Sequence, residues 1–286
     1  MFNAPSSFPL IERWPVLVDF ERSILEPAEL RGSVTGDLHR WSIDRVPRRL
    51  RPCVKPRNRV AARNVETLLE LLRGPAPLIL VIGGGVIGNG VQEIYADRRT
   101  RVVAFDIYGT PLVQFIADAH QIPLANESVD AVLVQAVLQQ VLDPGQVVGE
   151  IHRVLRPFGL VYAETPFLQP VLGGPYDFKR YTSSGHRRLF RAFEEVAAGP
   201  VAGPGAQMLT SVDHLVRGLL RSELAGKLAR LPFFWLRYLD RLVPTSFAMD
   251  NASAYYFLGR RSERELSPNE IVAYYRGALR SAPTGD

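Results

Sequence analysis

The apolar positions of this chain change period along its length, and the changes outline its elements. Val60, Val65, Leu68, Leu69 and Leu72 recur at helical spacing and predict a helix over 57–73, stopped by Gly74 and Pro75. Leu78 to Ile82 is a short unbroken apolar run, the pattern of a strand buried on both faces. Gly83-Gly84-Gly85 follows, with a helix expected from near Gly88. Arg101 to Phe105 reads as a second strand ended by Asp106, Val113 to Ile116 as a third, and Asp130 to Val134 as a fourth. Pro144 to Leu155 is an amphipathic helix with Asp143 as its N-cap and Pro144 at its first position. Leu160 to Glu164 is a fifth strand. Strands alternating with helices predict a parallel α/β sheet with helices on both faces. Only Ile107 to Leu112 joins strands two and three, where a parallel crossover normally takes about a dozen residues. The helix expected there has therefore shrunk to a turn.

The flanks are less regular. Residues 1–55 are proline-rich, with two short strands at Pro9-Leu-Ile and Pro15-Val-Leu-Val, and are expected to be an extension packed on the main domain. The main domain spans 56–262. It carries an apolar helical insertion at about 206–247, then a final strand over Ala252 to Gly259 that returns to the sheet. Residues 263–286 form a last helix, over 267–280, and a tail.

Composition narrows the class. No apolar run approaches the ~18 residues of a membrane span, and Met1 to Leu10 lacks the pattern of a signal peptide. The single cysteine, Cys53, excludes an internal disulfide and a multi-cysteine metal site. His39, His120, His152, His186 and His214 show no ligand spacing, so no metal is expected. These features point to the cytosol. The net charge is +5, and all basic residues are Arg except Lys55, Lys179 and Lys227. The densest basic block, Arg45 to Arg59, is broken by Pro47, Pro52 and Pro56 and reads as a linker. No nucleic-acid partner is expected. The Arg excess reads as a GC-rich bacterial genome.

Two features carry candidate cofactor chemistry. Gly83-Gly84-Gly85-Val86-Ile87-Gly88 directly follows a strand, and glycine permits both a tight turn and close approach of a ligand to the backbone. Alone, this pattern fits a dinucleotide site equally well. Asp106 stands at the end of the second strand, about twenty residues on, where a carboxylate can accept both hydroxyls of a ribose.

A third run separates the cofactor classes. Ala117-Asp118-Ala119-His120-Gln121-Ile122-Pro123-Leu124 is followed by Ser128-Val129-Asp130-Ala131-Val132 and by Val137-Leu138-Gln139-Gln140-Val141-Leu142-Asp143-Pro144. Glu150-Ile151-His152-Arg153-Val154-Leu155-Arg156-Pro157-Phe158-Gly159 and Glu164-Thr165-Pro166 complete it. The run resembles the small-molecule methyltransferases of the class I, S-adenosylmethionine-dependent superfamily. Their pattern is D-A-x-x-L-P-F, S-F-D-x-V, V-L-E-H-V-x-D-P and E-I-x-R-V-L-K-P-G-G.

The resemblance implies a Rossmann-like fold with a mostly parallel seven-stranded sheet, and S-adenosylmethionine as cofactor. At matching positions it implies that Gly83 and Gly85 line the methionine part, with Gly84 and Gly88 in the same cofactor-binding loop, and that Asp106 holds the ribose. Ile107 would cover the ring, Asp118 and the Ala119 backbone would meet the adenine, and Gln135 would lie beneath the sulfonium. Three positions depart from the pattern. Val81 replaces the acid that helps hold the methionine amino group, Gln139-Gln140 replaces Glu-His, and Phe158 replaces the first Gly of the P-G-G turn. Phe8 to Leu25 also resembles the last strands of a zinc-ribbon-like module that precedes some methyltransferases, without its cysteines.

After strand five, Asp177-Phe178-Lys179-Arg180-Tyr181-Thr182 resembles a subgroup of these enzymes associated with surface-sugar and secondary-metabolite pathways. Either the acceptor pocket is there, with Phe167, Tyr176, Arg180 and Tyr181 lining it, or Tyr181 and Phe178 are core packing and Arg180 pairs with Asp177 or Glu194. The expected acceptor is a small molecule: a sugar, lipid-linked compound or secondary metabolite, methylated at O or N. His186 and Asp177 are candidate bases, with no certain catalytic residue. The 206–247 segment would form a lid, pack on the domain, or touch a membrane surface weakly. Two other functions stay open on sequence: a nicotinamide-dependent oxidoreductase using the same glycines, and a catalytically silent methyltransferase-like binding protein.

Overall fold

The computed structural model describes residues 8–32 and 57–279. The Arg45 to Arg59 block up to Pro56, with Cys53 and His39, lies outside them. Seven strands form one sheet: β3 (Leu78–Ile82), β4 (Arg101–Asp106), β5 (Phe115–Ile116), β6 (Val129–Gln135), β7 (Leu155–Pro166), β8 (Phe193–Ala202) and β9 (Ala254–Arg261). Their order is β5-β4-β3-β6-β7-β9-β8. The pairs from β5 to β7 are parallel, and β9 runs antiparallel between β7 and β8. Helices cover both faces, as expected.

Because the chain builds outward in opposite directions from β3 and β6, a crevice opens where these two strands diverge at their carboxyl ends. The glycine run leaves β3 at that point. Within β3 the side chains alternate between two cores: Leu80 and Ile82 join Val147, Ile151 and Phe190 on one face. Ile79 and Val81 join Ala61, Val65 and Leu68 on the other. Burial on both faces explains the unbroken apolar run.

Helix Arg59–Leu71 buries Ala61, Val65, Leu68 and Leu69 and is capped by Asn58, whose side chain accepts from the Ala61 N–H at 2.9 Å. Helix Pro144–Val154 has the expected cap, Asp143 accepting from the Gln146 N–H at 3.0 Å. The link between β4 and β5 holds no helix, only turns, as the short connection required.

Several boundaries differ from expectation. The helix after the glycines is Gln92–Ala96, not one starting near Gly88. Gly90 has φ +93°, and a Cβ there would lie 2.4 Å from the Asn58 carbonyl oxygen, so the chain is bent and pressed onto the neighbouring helix end. The last helix is only Pro268–Ala273, capped by a Ser267–Glu270 capping box. Strand β8 was not foreseen. It contains Gly199 and Pro200, and Pro is tolerated because β8 is an edge strand paired only with β9.

The described part of the N-terminal extension forms a small hairpin, β1 (Leu10–Ile11) with β2 (Trp14–Pro15). It continues the sheet edge through a parallel bridge from Val16 to Ile116 and a 2.8 Å bond from the Leu17 N–H to the Ile116 carbonyl. Trp14 is buried, donates from Nε1 to the Thr110 carbonyl at 3.0 Å, and lies flat on Gly109, where a Cβ would sit 2.4 Å from the indole.

Candidate cofactor and acceptor site

The glycine loop and Asp106 meet. The Gly85 N–H donates to Asp106 Oδ2 at 2.8 Å, and the Ile107 N–H donates to Oδ1 at 2.8 Å. Burial pushes the Asp106 carboxyl up to about 6, although these two backbone donors pull it down. Gly83 has φ +72°, and a Cβ there would strike Val137 Cγ2 at 2.3 Å. A Cβ on Gly84 would lie 2.6 Å from Ala104 Cβ. On Gly85 it would meet Tyr108 and Asp106 at 2.6 and 2.8 Å, and on Gly88 the Gln135 Oε1 at 1.8 Å. These glycines are required by close approach from every side. Ile107, 45% exposed, stands beside Asp106 as an apolar surface.

Asp118 follows β5, next to the end of β4, and is buried with Ala119. Its carboxylate accepts from the Ser23 hydroxyl, from the His120 N–H at 2.9 Å and from the His120 ring Nδ1 at 2.6 Å. Burial would raise Asp118, but the His120 and Ser23 bonds outweigh it and hold the group below its usual range. His120 Nε2 accepts from the Asp143 N–H at 3.1 Å, which assigns the proton to Nδ1. A cleft of about 740 Å³ beyond His120, lined by Asp19, Arg22, Gln146 and Glu150, includes no glycine-loop residue.

Gln135 ends β6 beside Gly88. Its Nε2 donates to the Asn89 carbonyl at 3.2 Å and to Glu164 Oε2 at 2.8 Å, while its Oε1 is buried without a partner. Glu164 also accepts from Asn58 Nδ2 at 3.0 Å and from the Tyr162 hydroxyl. Burial raises the Glu164 carboxyl, and the Tyr162, Gln135 and Asn58 bonds only partly counter this.

Residues 81–163 match the family model described as "Methyltransferase domain". The match spans less than a third of the chain. A protein of transposon TN4556 from Streptomyces fradiae is 34% identical over 113 residues, which cover 37% of this chain and 31% of that protein. Among solved structures, similarity extends to the phosphoethanolamine N-methyltransferase 2 of Haemonchus contortus with bound S-adenosyl-L-methionine, at 14% identity and TM-score 0.46, covering 70% of this chain and 53% of that one. It also extends to the geranyl diphosphate C-methyltransferase of Streptomyces coelicolor with S-adenosyl-L-homocysteine, at 15% identity and TM-score 0.45, covering 71% and 77%. A third is the [4+2]-cyclase SpnF, at 17% and TM-score 0.46, covering 71% and 82%.

Within the matched segment, much of the motif chemistry holds the fold. Asp130 accepts from the Leu78 N–H at 2.7 Å and from Arg156 at 2.6 Å, which ties the start of β3 to β6. Glu150 accepts from the Ile122 N–H at 2.9 Å, and Arg153 donates to the Ile122 and Leu124 carbonyls, each at 2.8 Å. The E-I-H-R segment thus clamps the loop that follows Asp118. Gln139 fills the place of the family acid structurally. Its Nε2 donates to the Ala136 carbonyl at 2.8 Å, and its own carbonyl accepts from the Phe178 N–H at 2.8 Å, fastening the stretch after β7.

That stretch carries the expected acceptor residues, each with its own neighbours. Tyr176 and Phe178 meet edge to face at 6.4 Å and are both exposed. Phe167 packs with Tyr255, Met249 and Ala252. Arg180 donates to Asp177 through both terminal nitrogens, at 2.6 Å to Oδ2. Burial would raise Asp177, but Arg180 and the Leu172 N–H hold it below the usual carboxylate range, the state of an ion pair rather than a proton acceptor. His186 is buried among Tyr181, Phe190 and Phe257, on β9's side of the sheet. Burial, with Arg187 alongside, lowers its pKa to about 3 and keeps the ring neutral.

Sequence reasoning quoted Glu164 in a motif without a role, and it assigned none to Ser23, Asn58 or Tyr108. Their polarity was legible, but nothing local signalled that segments so distant meet. Among the described residues no group of three or more His, Cys, Asp or Glu is placed to hold a metal. No helix there is long and apolar enough to cross a membrane.

Proposed function

We propose that this chain is an S-adenosylmethionine-dependent methyltransferase acting on a small-molecule acceptor at O or N. The observation that carries the reading is the carboxylate of Asp106 held against the Gly85 N–H at the strand divergence, with Asp118 on the next strand end. Two carboxylates so spaced suit the ribose hydroxyls and the exocyclic amine of an adenosine, and Ile107 suits its ring. When bound, the cofactor supplies an already activated methyl group, so the chain's own task is alignment of the acceptor and exclusion of water.

Val81 is a buried core residue and leaves the methionine amino group without its usual acid. Gln135 takes that role. Its buried Oε1 lacks a partner and faces Gly88, and Glu164 behind it adds negative charge. The acceptor side is formed by Phe167, Tyr176, Arg180 and Tyr181. With His186 enclosed and Asp177 paired to Arg180, the acceptor is a nucleophile that reacts without a strong base from either residue.

Titration calorimetry with S-adenosylhomocysteine tests the reading, with NAD as the control. The expected result is binding of the first only, weakened about tenfold or more by Asp106→Ala, the loss of a charge-assisted contact worth roughly 1.5–3 kcal/mol. Preference for NAD, or an Asp106→Ala variant that binds as the parent does, overturns it.

A further inference from the structure

The helical insertion has its polarity inside out. Helix α6 (Pro204–Leu220) packs on α7 (Glu223–Ala229) and α8 (Leu236–Leu239), yet α6 buries only Leu209 and Asp213. Asp213 is held inside by Arg217 at 3.9 Å and Arg230 at 3.5 Å, and Gly226 lies directly on it. Outside, Met208, Leu215 and Leu219 form a stripe at helical spacing along α6, with Leu219 73% exposed. Leu242, beyond α8, is 80% exposed. Between them Phe233, Phe234 and Trp235 are also exposed. Single exposed apolar residues are ordinary on a protein surface, but a contiguous apolar stripe with an aromatic cluster marks a contact face.

The charge on this insertion is mostly positive. From Pro204 to Leu242 the cations are Arg217, Arg221, Lys227, Arg230, Arg237 and Arg241, and the acids are Asp213, Glu223 and Asp240. Glu223 is paired with Arg217 at 3.7 Å and Lys227 at 3.3 Å. Asp240 is turned inward and consumed by the N–H groups of Gly203, Gly205 and Ala206, at 3.2, 2.7 and 3.2 Å. Arg237 and Arg241 flank the ring of Tyr238, at 5.0 and 5.5 Å from its centroid. Apolar tips beside the exposed Arg221 and Arg241 match the two layers of a lipid interface, acyl chains below and anionic headgroups above. A second copy of the chain fits poorly, because a two-fold contact through this patch would bring its arginines against one another.

We propose that the outer face of α6–α8, with Phe233 to Trp235 and Leu242, docks on the surface of an anionic lipid bilayer. It lies on the bilayer rather than crossing it, since none of its helices is long enough to span. Docking does not depend on the methyl-transfer reading. Phe167 beside Met249 and Ala252 roots the insertion next to the stretch after β7, so a docked protein would carry that stretch close to the lipid surface.

Co-sedimentation of the full chain with phosphatidylcholine vesicles, with and without an equimolar share of phosphatidylglycerol, tests this. The expected result is binding to the anionic vesicles only, weakened by salt. Arg237→Glu with Arg241→Glu should reduce that binding about tenfold or more. Leu242→Glu, at a site too exposed to affect folding, should also reduce it. Brominated acyl chains should quench Trp235, judged against Trp235→Phe. No binding to the anionic vesicles, or binding unchanged in both variants, overturns the proposal. So does a dimer in light scattering that Leu242→Glu disperses.

Discussion

Asp106 shows how one residue links the fold to pH. Its folded pKa of about 6 lies above its ordinary value of 3.8. The folded chain therefore binds a proton that the unfolded chain releases, and this group's contribution to stability is full below about pH 4 and lost as pH rises through 6. Ligand binding runs the other way, because ribose hydroxyls donate to the ionised carboxylate. Calorimetry from about pH 5 to 8 should show S-adenosylhomocysteine affinity rising through pH 6 and then levelling, with no such step in Asp106→Asn. Phe158 is a residue-scale strain. It has φ +65° where the family pattern has Gly, and it is 78% exposed, so little burial compensates. The left-handed backbone costs about 1–2 kcal/mol for such a residue, and the greater freedom of glycine in the unfolded chain returns about 0.5–1 kcal/mol of that. Phe158→Gly should therefore raise the melting temperature by about 1–3 °C, read by calorimetry.

At the scale of elements, patterns were legible where each element meets the core through its own periodicity. The helix over 59–71 and the strand over 78–82 are of this kind, because Val65 and Leu68, or Leu80 and Ile82, are apolar for reasons local to the element. Strand β8 was not, because an edge strand needs neither alternation nor freedom from Pro, and Pro200 masked it. The N-terminal hairpin was legible as short strands, but its place was not. It depends on Trp14 finding Gly109, a residue with room for an indole. Trp14→Ala should cost about 3–5 kcal/mol, seen as a large fall in the thermal midpoint, because it empties a buried site at the sheet edge. An unchanged midpoint would mean that the hairpin is not part of the folded domain.

Over the whole molecule, three distant segments converge on one buried carboxylate: Asn58 before the first long helix, Gln135 at the end of β6, and Glu164 on β7 with Tyr162. Glu164→Gln keeps the shape of this network and removes its charge. The expected outcome is weaker binding of S-adenosylhomocysteine with unchanged binding of 5′-methylthioadenosine, which lacks the amino-acid part. Equal loss for both ligands would assign Glu164 to structure alone.

The amino-acid sequence by itself determined the alternation of strands and helices, the glycine turn and the carboxylates at the strand ends. Each of these is a local demand: period two or 3.6, a backbone that tolerates close approach, a charge at a chain reversal. Only the tertiary structure decided what those groups touch. Ser23 on Asp118, Glu164 behind Gln135 and the outward turn of Leu219 and Leu242 all depend on how segments far apart in the chain are brought together. Hydrogen bonds and ion pairs are set by distances of a few ångströms in space, and residue spacing along the chain encodes those only within a single helix, strand or turn.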